Sequence, residues 1–153
     1  MLKLFLALTL AALPLTAASG DAVSYWPNAK LKGYAKELAP KVNADHYALE
    51  RLGEFGNHYV LVVHRLANGP AESHEAETDF YVVQAGEATL HVGGEIVDAK
   101  TTAPGEVRGT AIKGGKTMTL KAGDTVNIPP MTPHHVTIED GKSVTYMIVK
   151  VKK

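Results

Sequence analysis

The chain has no cysteine. That absence excludes disulfide staples, thiolate zinc sites, thiol–disulfide exchange and a thiol nucleophile. A fold made from it must be held by its core, helped at most by a metal or by oligomerisation. Charge of one sign is missing too, since 16 Lys and Arg balance 16 Asp and Glu. No long-range field then draws the chain to nucleic acid or an anionic membrane. Basic residues are scattered and never interleave with aromatics as a nucleic-acid surface requires. No Gly-x-Ser-x-Gly elbow supports a hydrolase triad, and the glycine-rich segments lack the lysine and helix of a phosphate loop. Internal repeats and low-complexity tracts are also absent.

Only one stretch is strongly apolar without interruption, and it stands at the N-terminus. Lys3 precedes the run Leu4 to Leu15, and Thr16-Ala17-Ala18-Ser19-Gly20 offers small residues for cleavage. This is the pattern of a secretory signal. The run is shorter than the ~20 residues that span a bilayer, so no membrane span is expected in the mature form. Residues 1–20 are therefore read as a signal peptide, and the mature protein is expected to be periplasmic or secreted. An uncleaved anchor or a buried N-terminal helix is the alternative.

The 153 residues fit one domain with a single core. Residues 21–43 form an N-terminal extension, in which Leu31, Tyr34, Ala35 and Leu38 recur at helical spacing over Lys30 to Leu38. Asn28 is placed to cap that helix and Pro40 to stop it. From residue 44 to 153 the apolar period becomes two. His58–His64, Phe80–Gln84, Ala88–Val92, Thr125–Ile128 and Val144–Val149 read as strands, separated by turn signals such as Asn68-Gly69-Pro70, Ala85-Gly86 and Gly123-Asp124. Short strands at this spacing predict an all-β sandwich or barrel. Asp98–Gly115 reads as a long loop that covers a barrel mouth or mediates dimer contact.

Two stretches carry chemistry. Glu72-Ser73-His74 is followed by Asp79 and Gly86; Gly123-Asp124 leads through Pro129 to Thr132-Pro133-His134. Alternate residues of a strand share a face, so Glu72 and His74 point together, and Asp79 shares a face with Tyr81 and Val83. If these strand ends meet, two imidazoles and one or two carboxylates form a site suited to Fe, Mn, Zn, Ni or Co. His58 and His64 share a face of one strand and read as wall or core groups, with His64 an alternative ligand. His91 and His46 are assigned to structure or solvent. Tyr81, Met131, Met147 and Phe80 are candidates for an apolar pocket or for barrel core.

The two stretches resemble the paired motifs of the cupin superfamily, and the resemblance runs from Asn57 to the C-terminus. Glu72 and His74 stand at the positions of the two histidines of the first motif, Asp79 at its acid and Gly86 at its glycine. The second motif is matched by Gly123, Pro129 and His134, and this match selects His134 over its neighbour His135. His135 is then expected at the surface, or hydrogen-bonded to an acid beside the site. The departures are Glu72 for histidine, Asp79 for glutamate, Met131 for glycine and Ile138 for asparagine.

What the resemblance implies is a double-stranded β-helix, a jelly-roll-like barrel with one N-terminal helix outside it. It further implies a divalent transition metal held by His74, Asp79 and His134, a small-molecule ligand or substrate, and a homodimer. Glu72 is either a fourth ligand or a catalytic general base. The function expected is that of an exported metal-binding cupin domain, and the first reading is a small-molecule metalloenzyme of dioxygenase, isomerase or lyase type. A non-catalytic module for a small ligand or metal is the alternative, and a scaffold with a vestigial site is the third reading.

Overall fold

The computed structural model describes residues 18–19 and 23–153, so the expected signal lies outside the described residues except for Ala18–Ser19. Those two residues form β1 and pair in parallel with Gly53 and Glu54. Helix α1 spans Asn28–Leu38, and a 3-10 turn at Ala39–Lys41 carries Pro40. The helix begins two residues before the expected Lys30, so Asn28 lies inside it and Pro27 takes the capping position without a side-chain bond. Proline needs no N–H partner there, which is why the start moves. The strands follow as β2 (Tyr47–Phe55), β3 (His58–Arg65), β4 (Ala71–His74) and β5 (Glu77–Val92). Short strands β6 (Glu95–Val97), β7 (Lys100–Ala103), β8 (Glu106–Gly109) and β9 (Ala111–Lys113) come next. The chain ends with β10 (Lys116–Lys121), β11 (Thr125–Ile128), β12 (His134–Thr137) and β13 (Val144–Lys152).

Strand β5 organises the molecule. Its first half pairs with β13 and β11, and its second half with β10 and β12. One sheet therefore holds β2, β3, β13, the start of β5 and β11; the other holds β10, the end of β5, β12, β4, β8 and β7. The expected turn at Ala85-Gly86 is instead a bend within this one strand. Gly86 has φ +78°, and a Cβ there would collide with the Ser143 carbonyl oxygen, so only glycine passes this corner. Leu61, Val63, Tyr81, Leu90, Val136 and Ile148 pack between the two sheets as the main core. Outside the first sheet, Tyr34 and Leu38 of α1 cover Ala48 and Val62, as the helical stripe predicts.

The stretch Asp98–Gly115 is not the long loop expected from its glycines. It contains β7, β8 and β9, with β8 paired to β4 from Ala71↔Gly109 to His74↔Glu106. The turn residues sit between short strands, where the pattern of single apolar residues is too brief to show a period.

Candidate metal centre

The four sequence-predicted site residues arrive on three strands. Glu72 and His74 share a face of β4, and His134, the first residue of β12, stands directly opposite Glu72. Asp79, near the start of β5, is paired with Lys150 of β13 on one side and Ile128 of β11 on the other. The turn before His134 is tied down by Met131, whose N–H donates to the His74 carbonyl at 2.6 Å. Met131 has φ +61°, the left-handed conformation that the motif's glycine would adopt freely. Met131 holds this conformation at some strain, with its side chain out in solvent.

Two contacts fix the histidine tautomers. His134 Nδ1 lies 3.0 Å from the Thr132 carbonyl oxygen, which can only accept, so the proton is on Nδ1. His74 Nδ1 lies 2.7 Å from Glu106 Oε2, which assigns it the same tautomer. Both Nε2 lone pairs then face inward. They stand 3.6 Å (His74) and 3.7 Å (His134) from Asp79 Oδ2, and His134 Nε2 is 3.6 Å from Glu72 Oε1. These are acceptors facing acceptors, too far apart for hydrogen bonds. Two donors held about 2.1 Å from one ion at roughly 110–120° lie about 3.4–3.6 Å apart, so the spacing is that of ligands around a common cation. Glu72, His74 and His134 bring one ligand atom each within 4.8 Å of one another. Lys150 Nζ approaches Asp79 Oδ1 at 2.7 Å, off the direction a hydrogen bond requires. Both Asp79 oxygens and His134 Nε2 therefore remain buried without one.

Four further groups at the cluster, Lys150, Glu77, Glu106 and Arg108, are not among the residues that the motifs single out. Lys150 Nζ is also 3.0 Å from His74 Nε2 and 3.4 Å from Glu77 Oε2. Arg108 lies 3.6 Å from Glu72. Four carboxylates (Glu72, Glu77, Asp79, Glu106) thus meet two cations, and the cluster carries two more negative charges than positive ones. Burial alone would push the Glu72 carboxyl up, but His134, His74 and Arg108 outweigh it and hold the pKa at about 2. Burial opposes ionisation of Asp79 in the same way, and His74 and Lys150 keep it below the usual carboxylate range. For His74, burial and Lys150 disfavour the imidazolium, yet Asp79 and Glu72 raise the pKa above the ordinary imidazole value. The signal for Lys150 is legible in the sequence: it follows Tyr146 and Ile148 on the inward face of a strand, where a lysine is out of place. Glu106 and Arg108 sit in the stretch that reads as a loop.

The other candidates lie elsewhere. His64 is on the opposite face of β3, with Nδ1 2.8 Å from Thr145 Oγ1, and is not an alternative ligand. His135 is buried rather than at the surface, and its Nε2 donates to the Gly69 carbonyl at 2.9 Å instead of to an acid. His91 contacts Thr137, and His58 stacks on Phe55. Of the four pocket candidates only Tyr81 lines the central cavity. Phe80 points outward, Met147 packs toward the helix, and Met131 is 69% exposed.

That cavity measures about 510 Å³ and opens over the cluster, with Glu72, His74 and Lys150 at its floor and Tyr59, Leu61 and Tyr146 in its walls. It holds both the polar groups and the apolar surface of a small-molecule site.

No family model matches the chain, and no curated protein matches it. Solved structures do. The TT1209 protein from Thermus thermophilus is 18% identical, with TM-score 0.54 over 76% of this chain and 92% of its own. An uncharacterized conserved protein with a double-stranded β-helix domain from Klebsiella pneumoniae is 19% identical, with TM-score 0.53 over 72% of this chain and 80% of its own. The polyketide cyclase RemF from Streptomyces resistomycificus is 15% identical, with TM-score 0.50 over 71% of this chain and 66% of its own. At these identities the likeness is one of fold, and it agrees with the strand order and with the two motifs found at the strand ends. By its architecture the chain is a double-stranded β-helix protein of the cupin fold.

Proposed function

We propose that the protein is an exported, metal-dependent cupin acting on a small molecule that enters the central cavity. The observation that carries this reading is the set of inward lone pairs on His74, His134, Asp79 and Glu72, spaced for one cation and left without hydrogen bonds at Asp79 and His134. A divalent transition ion also balances the two excess negative charges. When bound, such an ion supplies Lewis-acid polarisation of a substrate oxygen, or activation of water or dioxygen. Glu72, His74, Asp79 and His134 would hold it. The low pKa of Glu72 suits an ion-holding carboxylate and not a base poised near neutrality, so we assign it to the ion rather than to proton transfer. Glu106 and the Thr132 carbonyl keep the imidazoles turned inward. Lys150 neutralises Asp79 and can donate a proton to a developing negative charge beside it. RemF, which shares the fold, is a cyclase, and catalysis on this scaffold is in keeping with that.

Lys150 also supports a second reading. Its ammonium already sits between Asp79 and the Nε2 lone pair of His74, and a site in which lysine neutralises the buried carboxylate would bind a small ligand without metal. Elemental analysis of untagged protein separates the two. The first reading expects about one metal ion per chain, lost in His74→Ala and in His134→Ala. Wild-type protein that stays metal-free after incubation with each of Fe, Mn, Zn, Ni and Co would favour the second. Export rests on the N-terminal pattern alone. It predicts a mature N-terminus at about residue 19–21 in protein recovered from the periplasm or medium, read by N-terminal sequencing.

A further inference from the structure

Arg65 is a cation without an acid. It ends β3 on the face that Tyr59, Leu61 and Val63 turn into the cavity, and it is half-buried. The other cavity cations are engaged: Lys150 by Asp79 and Glu77, Arg108 by Glu72, Arg51 by Glu54. Among the described residues, no carboxylate lies within ion-pair reach of Arg65. Its Nε donates to the Tyr146 hydroxyl at 3.0 Å, and its Cζ lies 5.1 Å from the Tyr47 ring centroid. Gly69 makes room for it. A Cβ at that position would stand 3.1 Å from Cζ, 3.2 Å from Nη1 and 3.3 Å from Nη2. The guanidinium is therefore oriented by a hydroxyl, a ring and a bare backbone, with Nη1 and Nη2 making no hydrogen bond among the described residues.

An oriented cation with a free two-pronged edge is the shape that receives a carboxylate. Tyr146, the Tyr47 ring and the more distant Glu72 charge stabilise the guanidinium without using Nη1 or Nη2, so that edge is left for a partner that arrives from outside. We propose that Arg65 anchors the carboxylate of a small organic acid whose apolar body lies along the cavity toward the His74–Asp79–His134 cluster. The proposal names the ligand class for the small-molecule site above and rests on that reading of the cavity. Tyr146 contacts Tyr81 at 4.9 Å between ring centroids, and Tyr81 lies 6.4 Å from the His134 ring. This aromatic row joins the Arg65 end to the candidate metal centre, and Leu61 and Ile148 add apolar wall. Glu72, Glu77 and Glu106 also face the cavity, so a second negative charge on the ligand, as on a phosphate monoester, would be repelled.

The test compares phenylacetate with its neutral isostere phenylacetamide, by calorimetry and ligand-observed NMR. Metal-loaded and chelator-treated protein are both used. Phenylacetate is expected to bind at least about tenfold more tightly than the amide, the scale of a charge-assisted pair of hydrogen bonds. Arg65→Gln should abolish that preference, and Gly69→Ala, which displaces the guanidinium without removing it, should reduce it several-fold. Persistence of the preference in chelator-treated protein, together with its loss in Arg65→Gln, assigns it to Arg65; a preference that survives both would place the carboxylate on another cavity cation such as Lys150 and overturn the proposal. A preference that vanishes with the metal and survives Arg65→Gln would place the carboxylate on the ion and overturn the proposal, leaving the metal reading intact. Equal binding of acid and amide would also overturn it, as would no binding of phenylacetate up to about 10 mM. If Arg65→Gln does not fold, the wild-type acid–amide comparison and Gly69→Ala still decide.

Discussion

Asp79 shows how much a single carboxylate can organise. It is buried beneath His74, His134 and Lys150, and the Lys150 ammonium, 2.7 Å from Oδ1, offsets the charge of its ionised form. The histidines are held in turn from behind, one by Glu106 and one by the Thr132 carbonyl. Glu106→Gln keeps the size but puts an amide where the carboxylate accepted the Nδ1 proton. Metal affinity is expected to fall about 10–100-fold, with little change in stability of the metal-free protein, measured by competition with a chromophoric chelator. A second prediction concerns His64, which burial holds below the ordinary imidazole pKa. A group with a depressed folded pKa takes its proton more readily when unfolded. Stability is therefore complete above about pH 6.5 and is lost as pH falls from there through the folded value. Urea unfolding at pH 7.5 and 5.5 should show a smaller loss on acidification in His64→Gln than in wild type. An unchanged difference would remove His64 from the acid response.

At the scale of elements, β5 carries the fold from one sheet to the other, and the corner is Gly86. Gly86→Ala would have to sustain positive φ and displace the Ser143 backbone, with an expected cost of about 2–4 kcal/mol by chemical denaturation. A cost below about 1 kcal/mol would mean that the corner is not built as described. The strand assignments made from alternation hold where the strands are β-branched and long enough to show a period: β11 matches at both ends, and β3 gains only Arg65. The two strands expected on either side of Gly86 are one, because glycine marks a turn and a bend equally well in sequence. The segment over β7 to β9 reads as a loop in sequence, although β8 brings both Glu106 and Arg108 to the cluster. Its strands are three or four residues long, and they are held by pairing, β8 with β4, β7 with β8 and β9 with β6, which no local pattern reports.

The whole molecule is a cysteine-free barrel with a helix on its outer face, and a bound ion would add to a stability that disulfides cannot supply. If the metal reading holds, chelation should lower the thermal midpoint by several degrees. Binding at a hundred times its dissociation constant contributes about 2.7 kcal/mol. Calorimetry before and after chelation, with re-addition of metal, checks this. An unchanged midpoint in a protein shown to have lost its ion would contradict it. We also propose pairing into a homodimer by sheet contact, expected from the fold, and light scattering after gel filtration should then report twice the chain mass.

Taken alone, the order of residues determined the all-β class, the helix stripe and the identity of four side chains at strand ends. The class and the stripe follow from periodicity, and the four side chains from spacing within two short segments together with the family resemblance that selects His134 over His135; periodicity and spacing are local properties of a chain. Only the tertiary structure decided that Lys150 lies between Asp79 and His74, that Glu106 stands behind His74, that His64 faces the helix side, and that Arg65 meets no acid. Each depends on which strands become neighbours and in what register. That choice is made by the packing of the whole core around the bend at Gly86, and a shift of one residue in any pairing would have turned these side chains to the opposite face.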